Sequence, residues 1–262
     1  MRIVVAGGTG LIGSALVESL RARGHEAVPA SPSTGVDTVT GAGLAEVLAG
    51  ASVLVDVTNS PSFEAGPVLE FFTRSTEQLL AAGRQAGIRH HVVLSIVGTD
   101  GVPDSGYLRA KAAQEALVRA GGLPYSVVRA TQFFEFLGPI AAGSTVDGVV
   151  RLPTADLQPV AAADVSAILA ETVVAEPRNG RVDVAGPQRG SFADFVRPVL
   201  AAQGDPRTVV AGDDTPYFGA VLEKSALVPA GEAVIGATDF ATWLAGLASD
   251  PVEGSAGRAV LR

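Results

Sequence analysis

The sequence contains no cysteine and only three histidines, His25, His90 and His91. The absence of thiols excludes disulfide bonds, thiolate metal sites and a cysteine nucleophile. The spacing of the histidines does not match a zinc-binding pattern, so we expect a protein that holds no metal. A chain without cysteine is also typical of a protein that works in the cytoplasm.

Long apolar runs are absent as well, and acidic residues outnumber basic ones. No stretch of about 18 consecutive apolar residues occurs, and the first residues lack the basic segment and cleavage site of a signal peptide. We therefore expect neither membrane insertion nor export. The formal net charge of -8 disfavours nucleic acid and anionic membranes as partners. This composition favours a small-molecule substrate.

The segment that begins at Ile3, IVVAGGTGLIGSALVESL, is typical of a buried strand, a glycine-rich turn and a helix in succession. Gly8, Gly10 and Gly13 match the GxGxxG pattern, and Gly7 opens an overlapping GxxGxxG. Such a turn lets the backbone and the start of the helix approach a pyrophosphate closely. The alternative is a turn with a purely structural role. The residues expected to bind the cofactor here are Gly7, Thr9, Gly10, Leu11, Ile12 and Gly13.

Strand-like and helix-like segments alternate along most of the chain. The strands are predicted near residues 25–31, 35–39, 52–59, 90–98 and 125–130. This order predicts an α/β fold, a Rossmann-like doubly wound parallel sheet that binds its ligand at the carboxyl ends of the strands. The strand-end residues to consider are Ser31, Asn59, Ser95 and Thr131.

The pattern loosens after Phe136, where loops with glycine and proline surround fewer regular segments. We expect a single NAD(P)-binding domain over residues 1–262. Within it, residues 135–156 and 186–250 are expected to form most of a small C-terminal region that faces the substrate. The end of the chain after Asp250 is expected to be frayed.

Tyr107 and Lys111 lie four residues apart on a predicted helix, which places both side chains on one face. A free tyrosine has a pKa of about 10, so a tyrosine that acts near neutral pH needs a neighbouring positive charge. Lys111 is expected to supply that charge, and Ser95 to donate a hydrogen bond to the same substrate oxygen. The alternative is that Tyr107 packs in the core and Lys111 is solvated.

The chain resembles the short-chain dehydrogenase/reductase superfamily, in its atypical NmrA-like NAD(P)-binding branch, in the segments GGTGLIG, LSIVG, YLRAKAAQEALVRAGGLPYSVVRATQFFEF and LQPVAAADV. The resemblance covers roughly residues 1–175 and implies an oxidoreductase. It implies that Tyr107 is the catalytic acid and base and that Ser95 orients the carbonyl. It also implies that Lys111 lowers the pKa of Tyr107 and binds the nicotinamide ribose.

The same resemblance implies further cofactor contacts at the ends of two strands. Ala130 stands where many relatives have proline, so the contacts near the nicotinamide differ from those of such relatives. The implied contacts are Thr58, Asn59, Ala130, Thr131 and Gln132.

The residues directly after the predicted second strand include neither the acidic nor the basic residue that usually binds the adenosine ribose of the cofactor. An NAD-dependent enzyme usually has Asp or Glu there, and an NADP-dependent enzyme has Arg or Lys. Here the hydroxyl groups of Ser31, Ser33 and Thr34 can form a neutral phosphate site, which favours NADP, with NAD as the second choice. The alternative is a turn without a ligand.

Phe133, Phe134 and Phe136 can wall an apolar substrate pocket, or they can be ordinary core residues. Together the residues favour a reductase that moves hydride from NADPH to a small apolar carbonyl compound or quinone. Two alternatives stay open. One is a non-catalytic regulator that senses the dinucleotide, and the other is a nucleotide-sugar epimerase or dehydratase.

Overall fold

A computed structural model describes residues 1–249 of the chain. The first elements are β1 (Arg2–Ala6), α1 (Leu11–Ala22), β2 (Glu26–Ala30), α2 (Leu44–Leu48), β3 (Val53–Asp56), α3 (Ala65–Ala86), β4 (His90–Ile96), α4 (Gly106–Ala120) and β5 (Tyr125–Ala130). They are followed by α5 (Leu137–Gly143), β6 (Thr145–Val146), β7 (Val149–Pro153), β8 (Asp156–Leu157), α6 (Ala162–Val174), β9 (Gly180–Ala185), β10 (Gly190–Ser191), α7 (Phe192–Ala202), β11 (Thr208–Gly212), β12 (Val234–Ile235) and α8 (Phe240–Ser249). The frayed end expected after Asp250 lies outside the described residues.

Seven strands form one parallel sheet in the order β12-β9-β5-β4-β3-β1-β2. Alternate residues of β1 point to opposite faces of this sheet. Ile3 and Val5 pack with α1 and α6, while Val4 and Ala6 pack with α2 and α3. Because helices cover both faces, the predicted Rossmann-like doubly wound fold is confirmed.

The carboxyl ends of the central strands meet at one edge of the sheet. Ala6 of β1 pairs with Asp56 of β3, and Ile96 of β4 pairs with Ala130 of β5. The glycine turn after β1 and the loops after β3, β4 and β5 therefore lie side by side. This is the edge where sheets of this kind bind their ligands.

The strand predicted over residues 35–39 does not form, so that prediction is wrong. Gly35 adopts a left-handed backbone, with φ of 81°, which ends the short 3₁₀ turn after β2. The carboxylate of Asp37 then accepts hydrogen bonds from the amides of Val39 and Thr40, at 2.8 and 3.2 Å. These local bonds use the amide groups that a sheet ladder would need.

The chain after β5 builds a second apolar cluster beside the main sheet. β11, β7 and β6 form a three-stranded sheet, and α5 and α7 pack against it. Phe134, which is 1% exposed, joins this cluster and contacts α8 through Phe240 and Trp243, with ring centroids 5.4 and 5.3 Å apart. Across residues 1–249, the helices lack the combination of length and apolarity that crossing a membrane requires.

A buried ion pair ties α4 to β5. Arg129 of β5 donates to both carboxylate oxygens of Glu115 on α4, at 2.8 and 2.6 Å. Glu115 is fully buried and Arg129 is 3% exposed. The same guanidinium also binds Asp100, in the loop before α4, at 2.8 and 2.9 Å, and these hydrogen bonds hold the pKa of Asp100 below its usual range. One side chain thus holds both the loop and the helix against the sheet.

Replacement of Glu115 by glutamine should lower the free energy of unfolding by about 3 kcal/mol, because a buried guanidinium loses one of its two charged partners. Urea unfolding of the wild type and the variant measures the loss. Glu70→Gln is the matched control, since Glu70 forms an exposed pair with Arg74 on α3 and should lose less than about 1 kcal/mol. Equal losses in the two variants would contradict the role given to the Arg129 pair.

Candidate functional site

The turn after β1 brings the backbone of α1 against the backbone that precedes it. A side chain at Gly13 would place its Cβ 2.2 Å from the carbonyl oxygen of Gly7 and 2.7 Å from the Cα of Gly8. Such contacts are far inside van der Waals distance, so only glycine fits. Gly10 borders open space instead, since its Cβ would meet only the oxygen of Gly7, at 3.4 Å. A bound group can therefore approach the backbone at Gly10.

The first turn of α1 supplies hydrogen-bond donors beside Gly10. Gly10 precedes the helix, and the first amides of a helix have no carbonyl partner within it. Thr9 and Leu11 are exposed at this end, whereas the Ile12 side chain is buried in the core. The first turn contains no acidic residue that would oppose the positive end of the helix dipole. The turn therefore fits the diphosphate of a dinucleotide.

Three hydroxyl groups cluster at the end of β2. The hydroxyl oxygens of Ser31 and Ser33 are 2.9 Å apart, and the Thr34 hydroxyl accepts from the amide of Ser31 at 2.9 Å. Asp37 lies farther along the same loop, where the amide of Val39 in particular holds the pKa of its carboxyl below the usual range. The polar surface at the carboxyl end of β2 is thus formed by the uncharged side chains of Ser31, Ser33 and Thr34.

The loop after β3 meets the first turn of α4. The Tyr107 hydroxyl donates to Oδ1 of Asn59 at 3.0 Å. The neighbouring Thr58 donates from its amide and its hydroxyl to Oδ1 of Asp56, at 3.0 and 2.6 Å. Tyr107, Thr58 and Asn59 are therefore brought together at the strand ends.

Aromatic rings surround Tyr107. The ring centroids of Phe63 and Phe218 lie 5.2 and 5.1 Å from that of Tyr107, and that of Phe72 lies at 6.2 Å. Burial raises the pKa of the Tyr107 phenol above its usual range. This burial opposes the lowering of the Tyr107 pKa that the sequence leads us to expect from Lys111, because apolar surroundings favour the neutral phenol.

The amine of Lys111 is held inside the protein. Lys111 is 3% exposed, and its Nζ donates to the carbonyl oxygen of Leu94 at 2.9 Å and to Oε1 of Gln114. Nζ also lies 4.3 Å from the ring centroid of Phe72. Burial lowers the pKa of Lys111 to about 8, although the carboxylates of Asp56 and Glu115 act to raise it. The alternative that Lys111 is solvated is therefore wrong.

Ser95 lies near the end of β4, and its hydroxyl is buried. The residue is 2% exposed, and its Oγ has no hydrogen-bond partner among the described residues. Val93, two residues earlier on the same face of β4, packs on Val118 of α4. A buried hydroxyl without a partner costs free energy unless a bound molecule satisfies it, so Ser95 fits a role in ligand binding.

The side chains at the end of β5 and just after it differ in whether they are free to bind a ligand. Ala130 is 2% exposed, and the Thr131 hydroxyl donates to the carbonyl oxygen of Gln158 at 2.7 Å. Gln132 is 9% exposed, and its Oε1 has no hydrogen-bond partner within residues 1–249. Gln132 is thus the member of this group whose side chain is free to bind a ligand.

The three phenylalanines after β5 do not share one environment. Phe133 is 8% exposed and packs against Phe136, with ring centroids 5.2 Å apart, on the side of the sheet that carries α1 and α6. Phe134 is buried in the C-terminal cluster described above, where it contacts Phe240 and Trp243, and Tyr107 packs against the same cluster. The rings that do contact Tyr107, those of Phe63 and Phe218, were missed by sequence reasoning, because both come from loops distant in the chain.

Two buried polar residues next to Lys111 were missed as well. Gln114 is fully buried and donates from Nε2 to Oδ2 of Asp56 at 2.8 Å. The signal that could have found Gln114 is its position three residues after Lys111, because residues with this spacing are neighbours on a helix.

A family model described as NAD(P)H-binding matches residues 7–176, which run from the glycine turn through α6. This span is more than half of the chain. No match was found among curated proteins.

Several solved structures share the fold at low sequence identity. MoeE5 in complex with UDP-glucuronic acid and NAD is 21% identical, with a TM-score of 0.72, over 94% of this chain and 97% of MoeE5. A short-chain dehydrogenase/reductase superfamily protein from Agrobacterium tumefaciens, with bound NAD, is 18% identical, with a TM-score of 0.71, over 95% and 96% of the two chains. The NADPH-dependent quinone oxidoreductase QOR2 from Escherichia coli, complexed with NADPH, is 20% identical, with a TM-score of 0.61, over 80% and 77%.

These findings agree with the geometry of the sheet edge. The fold is a Rossmann-like NAD(P)-binding fold, and solved structures of the short-chain dehydrogenase/reductase superfamily share it, in agreement with the resemblance found in the sequence. The matched span contains the glycine turn, the hydroxyl cluster after β2 and the loop that contacts Tyr107. The chain belongs to the NAD(P)H-binding family.

Proposed function

We propose that the protein is a reductase that uses NADPH to reduce a small apolar carbonyl compound or quinone. The observation that carries this proposal is the hydrogen bond from the Tyr107 hydroxyl to Asn59, at 3.0 Å. It supports the proposal because the Tyr107 hydroxyl lies at the edge of the sheet where the glycine turn can hold the dinucleotide.

The proposed chemistry divides between the cofactor and the chain. Bound NADPH supplies a hydride to the carbonyl carbon. Tyr107 supplies the proton to the carbonyl oxygen, and its raised pKa keeps the phenol protonated at neutral pH. The Ser95 hydroxyl donates a hydrogen bond to the same oxygen. Lys111 stabilises the phenolate that remains, and its third N–H, beyond those given to Leu94 and Gln114, is available to the ribose.

Replacement of Tyr107 by phenylalanine should lower kcat by a factor of about 100 or more, because the variant retains the ring but lacks the proton. The dissociation constant for NADPH should stay within about twofold, since the hydroxyl donates to Asn59 and not to the glycine turn. Steady-state oxidation of NADPH with a panel of aldehydes, ketones and quinones measures kcat. Calorimetry measures the dissociation constant for NADPH.

The matched control for this variant is Tyr125→Phe. Tyr125 begins β5, at the end of the strand opposite Ala130, so the loss of its hydroxyl should leave turnover unchanged. Full activity in Tyr107→Phe would contradict the proposed mechanism.

The cofactor proposed is NADPH because the residues after β2 are uncharged. A carboxylate at this place would repel a 2′-phosphate, whereas the hydroxyls of Ser31, Ser33 and Thr34 can donate to it. Their mutual hydrogen bonds keep them together at the end of β2.

NADPH should therefore bind more tightly than NADH, as measured by the two dissociation constants. Ser33→Asp should reverse this order, because its carboxylate would repel the phosphate and accept a hydrogen bond from a free ribose hydroxyl. Thr40→Asp adds the same charge to an exposed position of the same loop and should preserve the order. Tighter binding of NADH by the wild type would overturn the assignment to NADP.

The substrate proposed is apolar because the surroundings of Tyr107 are apolar. Phe63 and Phe218 lie against its ring, and Phe218 is 37% exposed at the outer side of this group. The backbone of Phe218 has a φ of 47°, which a bulky residue rarely adopts. Such strain is found where a side chain must be held in one place.

Replacement of Phe218 by alanine should raise KM for an apolar substrate by about tenfold, because the substrate loses a ring that it would bury. The value of kcat should change little, since the proton donor remains. Val221→Ala is the control, since Val221 lies in the same segment and is 60% exposed. An unchanged KM in Phe218→Ala would show that this ring does not contact the substrate.

A second candidate is a regulator that binds the dinucleotide without turnover. Two observations favour it: the amine of Lys111 is tied to groups of the protein interior, and the pKa of Tyr107 is raised. The absence of NADPH oxidation over the whole substrate panel, together with tight cofactor binding, would favour this function over the reductase.

A third candidate is an epimerase or dehydratase of nucleotide-linked sugars, which the likeness to MoeE5 favours. Calorimetry with UDP-glucose and UDP-glucuronic acid in the presence of NAD tests it. Micromolar binding of either sugar nucleotide would place this candidate ahead of the reductase.

A further inference from the structure

A chain of three buried polar side chains lies between α4 and the sheet. Lys111 donates to Oε1 of Gln114, and Nε2 of Gln114 donates to Oδ2 of Asp56 at 2.8 Å. The exposed fractions are 3% for Lys111, 0% for Gln114 and 1% for Asp56. The side-chain amide of Gln114 therefore connects an ammonium group to a carboxylate away from solvent.

The orientation of the Gln114 amide follows from the charges at its two ends. An ammonium group has only donors and an ionised carboxylate has only acceptors. If the amide were reversed, its NH₂ would face the ammonium and its oxygen would face the carboxylate. Both contacts would be repulsive, so the pair of charges holds Gln114 in one orientation and Gln114 holds Lys111 in place.

Asp56 extends this chain to the loop that Tyr107 contacts. Its second oxygen accepts from the amide and hydroxyl of Thr58, at 3.0 and 2.6 Å. The next residue, Asn59, accepts from the Tyr107 hydroxyl. Lys111 and Tyr107 are thus connected twice: directly along α4, and through Gln114, Asp56 and the loop.

We propose that Gln114 is a positioning residue, which couples the Lys111 ammonium to Asp56 and keeps Lys111 charged and fixed beside Tyr107. Its effect on turnover rests on the proposed reductase function. Its effect on the protonation of Lys111 does not, and the two can be measured separately.

The ionisable groups around Lys111 come from three elements. Asp56 of β3 and Glu115 of α4 both favour the ammonium form, and Glu115 is already bound by Arg129. His91 of β4 interacts with Asp56, but burial lowers the pKa of His91 to about 4, so it is neutral. Helix α3 contributes the ring of Phe72. Asp56, reached through Gln114, is therefore the carboxylate available to compensate the charge of Lys111.

The sequence contains only two lysines, Lys111 and Lys224, which makes a direct test practical. Lys224 is 76% exposed at its side chain, so its amine serves as an internal reference. NMR of protein with isotope-labelled lysine follows both titrations with pH, without substrate or cofactor. In the wild type, the Lys111 amine should titrate at a lower pH than an ordinary lysine side chain, because burial disfavours the ammonium form.

Gln114→Met retains the length of the side chain but removes both hydrogen bonds. The titration of Lys111 should then move to lower pH by about one pH unit, because the ammonium form loses an acceptor. Asp56→Asn should move it in the same direction, because the charge that favours the ammonium form is gone. Lys224 should not change in either variant. A Lys111 titration in Gln114→Met equal to that of the wild type would overturn the proposal.

Gln114→Glu separates this role from simple packing. A carboxyl group at residue 114 can still accept from Lys111. Its second oxygen faces Oδ2 of Asp56, so the two carboxyl groups should share one proton, and the titration of Lys111 should return to the wild-type pH. Equal downward shifts in Gln114→Met and Gln114→Glu would show that Gln114 only fills space. Thermal unfolding of each variant establishes that the fold is retained.

Turnover provides the second measurement. If the reductase function holds, Gln114→Met should lower kcat on the order of tenfold at little change in KM, because Lys111 is misplaced, and Gln114→Glu should recover it. Gln85→Met, at an exposed position of α3, should retain wild-type turnover. A kcat in Gln114→Met equal to that of the wild type would overturn the positioning role. Absence of turnover in every protein, including the wild type, would count against the reductase function. The NMR titration would then decide on the role of Gln114.

Discussion

The contact between Arg129 of β5 and Glu115 of α4 is the constraint on which the candidate site depends. Two charged groups this deep in the protein must remain paired, because either one alone would lack the solvation that water gives it. Since the guanidinium binds both oxygens of Glu115, it fixes the rotation of α4 as well as its distance from the sheet. Tyr107 and Lys111 are carried by the same helix, so the pair helps to fix the positions of both.

Helix α4 places its two candidate functional groups in opposite electrostatic surroundings. Tyr107 lies among aromatic rings, which favour its neutral form, and one turn later Lys111 lies near the carboxylate of Asp56. The phenol therefore keeps its proton while a positive charge is held close by. Environments that push two neighbouring groups toward different protonation states are the usual basis of acid and base roles in enzymes.

Features that depend on residues close together in the sequence are predicted correctly more often than features that depend on residues far apart in the chain. The strand, turn and helix at the start of the chain are predictable because their hydrophobic period and glycines are local. The prediction of a strand over residues 35–39 is wrong because the Asp37 carboxylate accepts hydrogen bonds from the amides of Val39 and Thr40. The surroundings of Lys111 could not be predicted, since Gln114 meets Asp56 across 58 residues of sequence. Phe218 reaches Tyr107 from the loop after β11, so this contact depends on tertiary structure alone.

The packing of α1 against α6 affects how the protein folds. The Ser166 hydroxyl of α6 donates to the carbonyl oxygen of Ile12 at 3.3 Å, across 154 residues of sequence. Until α6 has been synthesised, the cluster that contains Ile3 and Leu16 lacks the part of its packing that α6 supplies. Contacts so distant in the chain form slowly and leave apolar surface exposed in the meantime. The first turn of α1, which contains Ile12, thus reaches its final packing only when α6 docks.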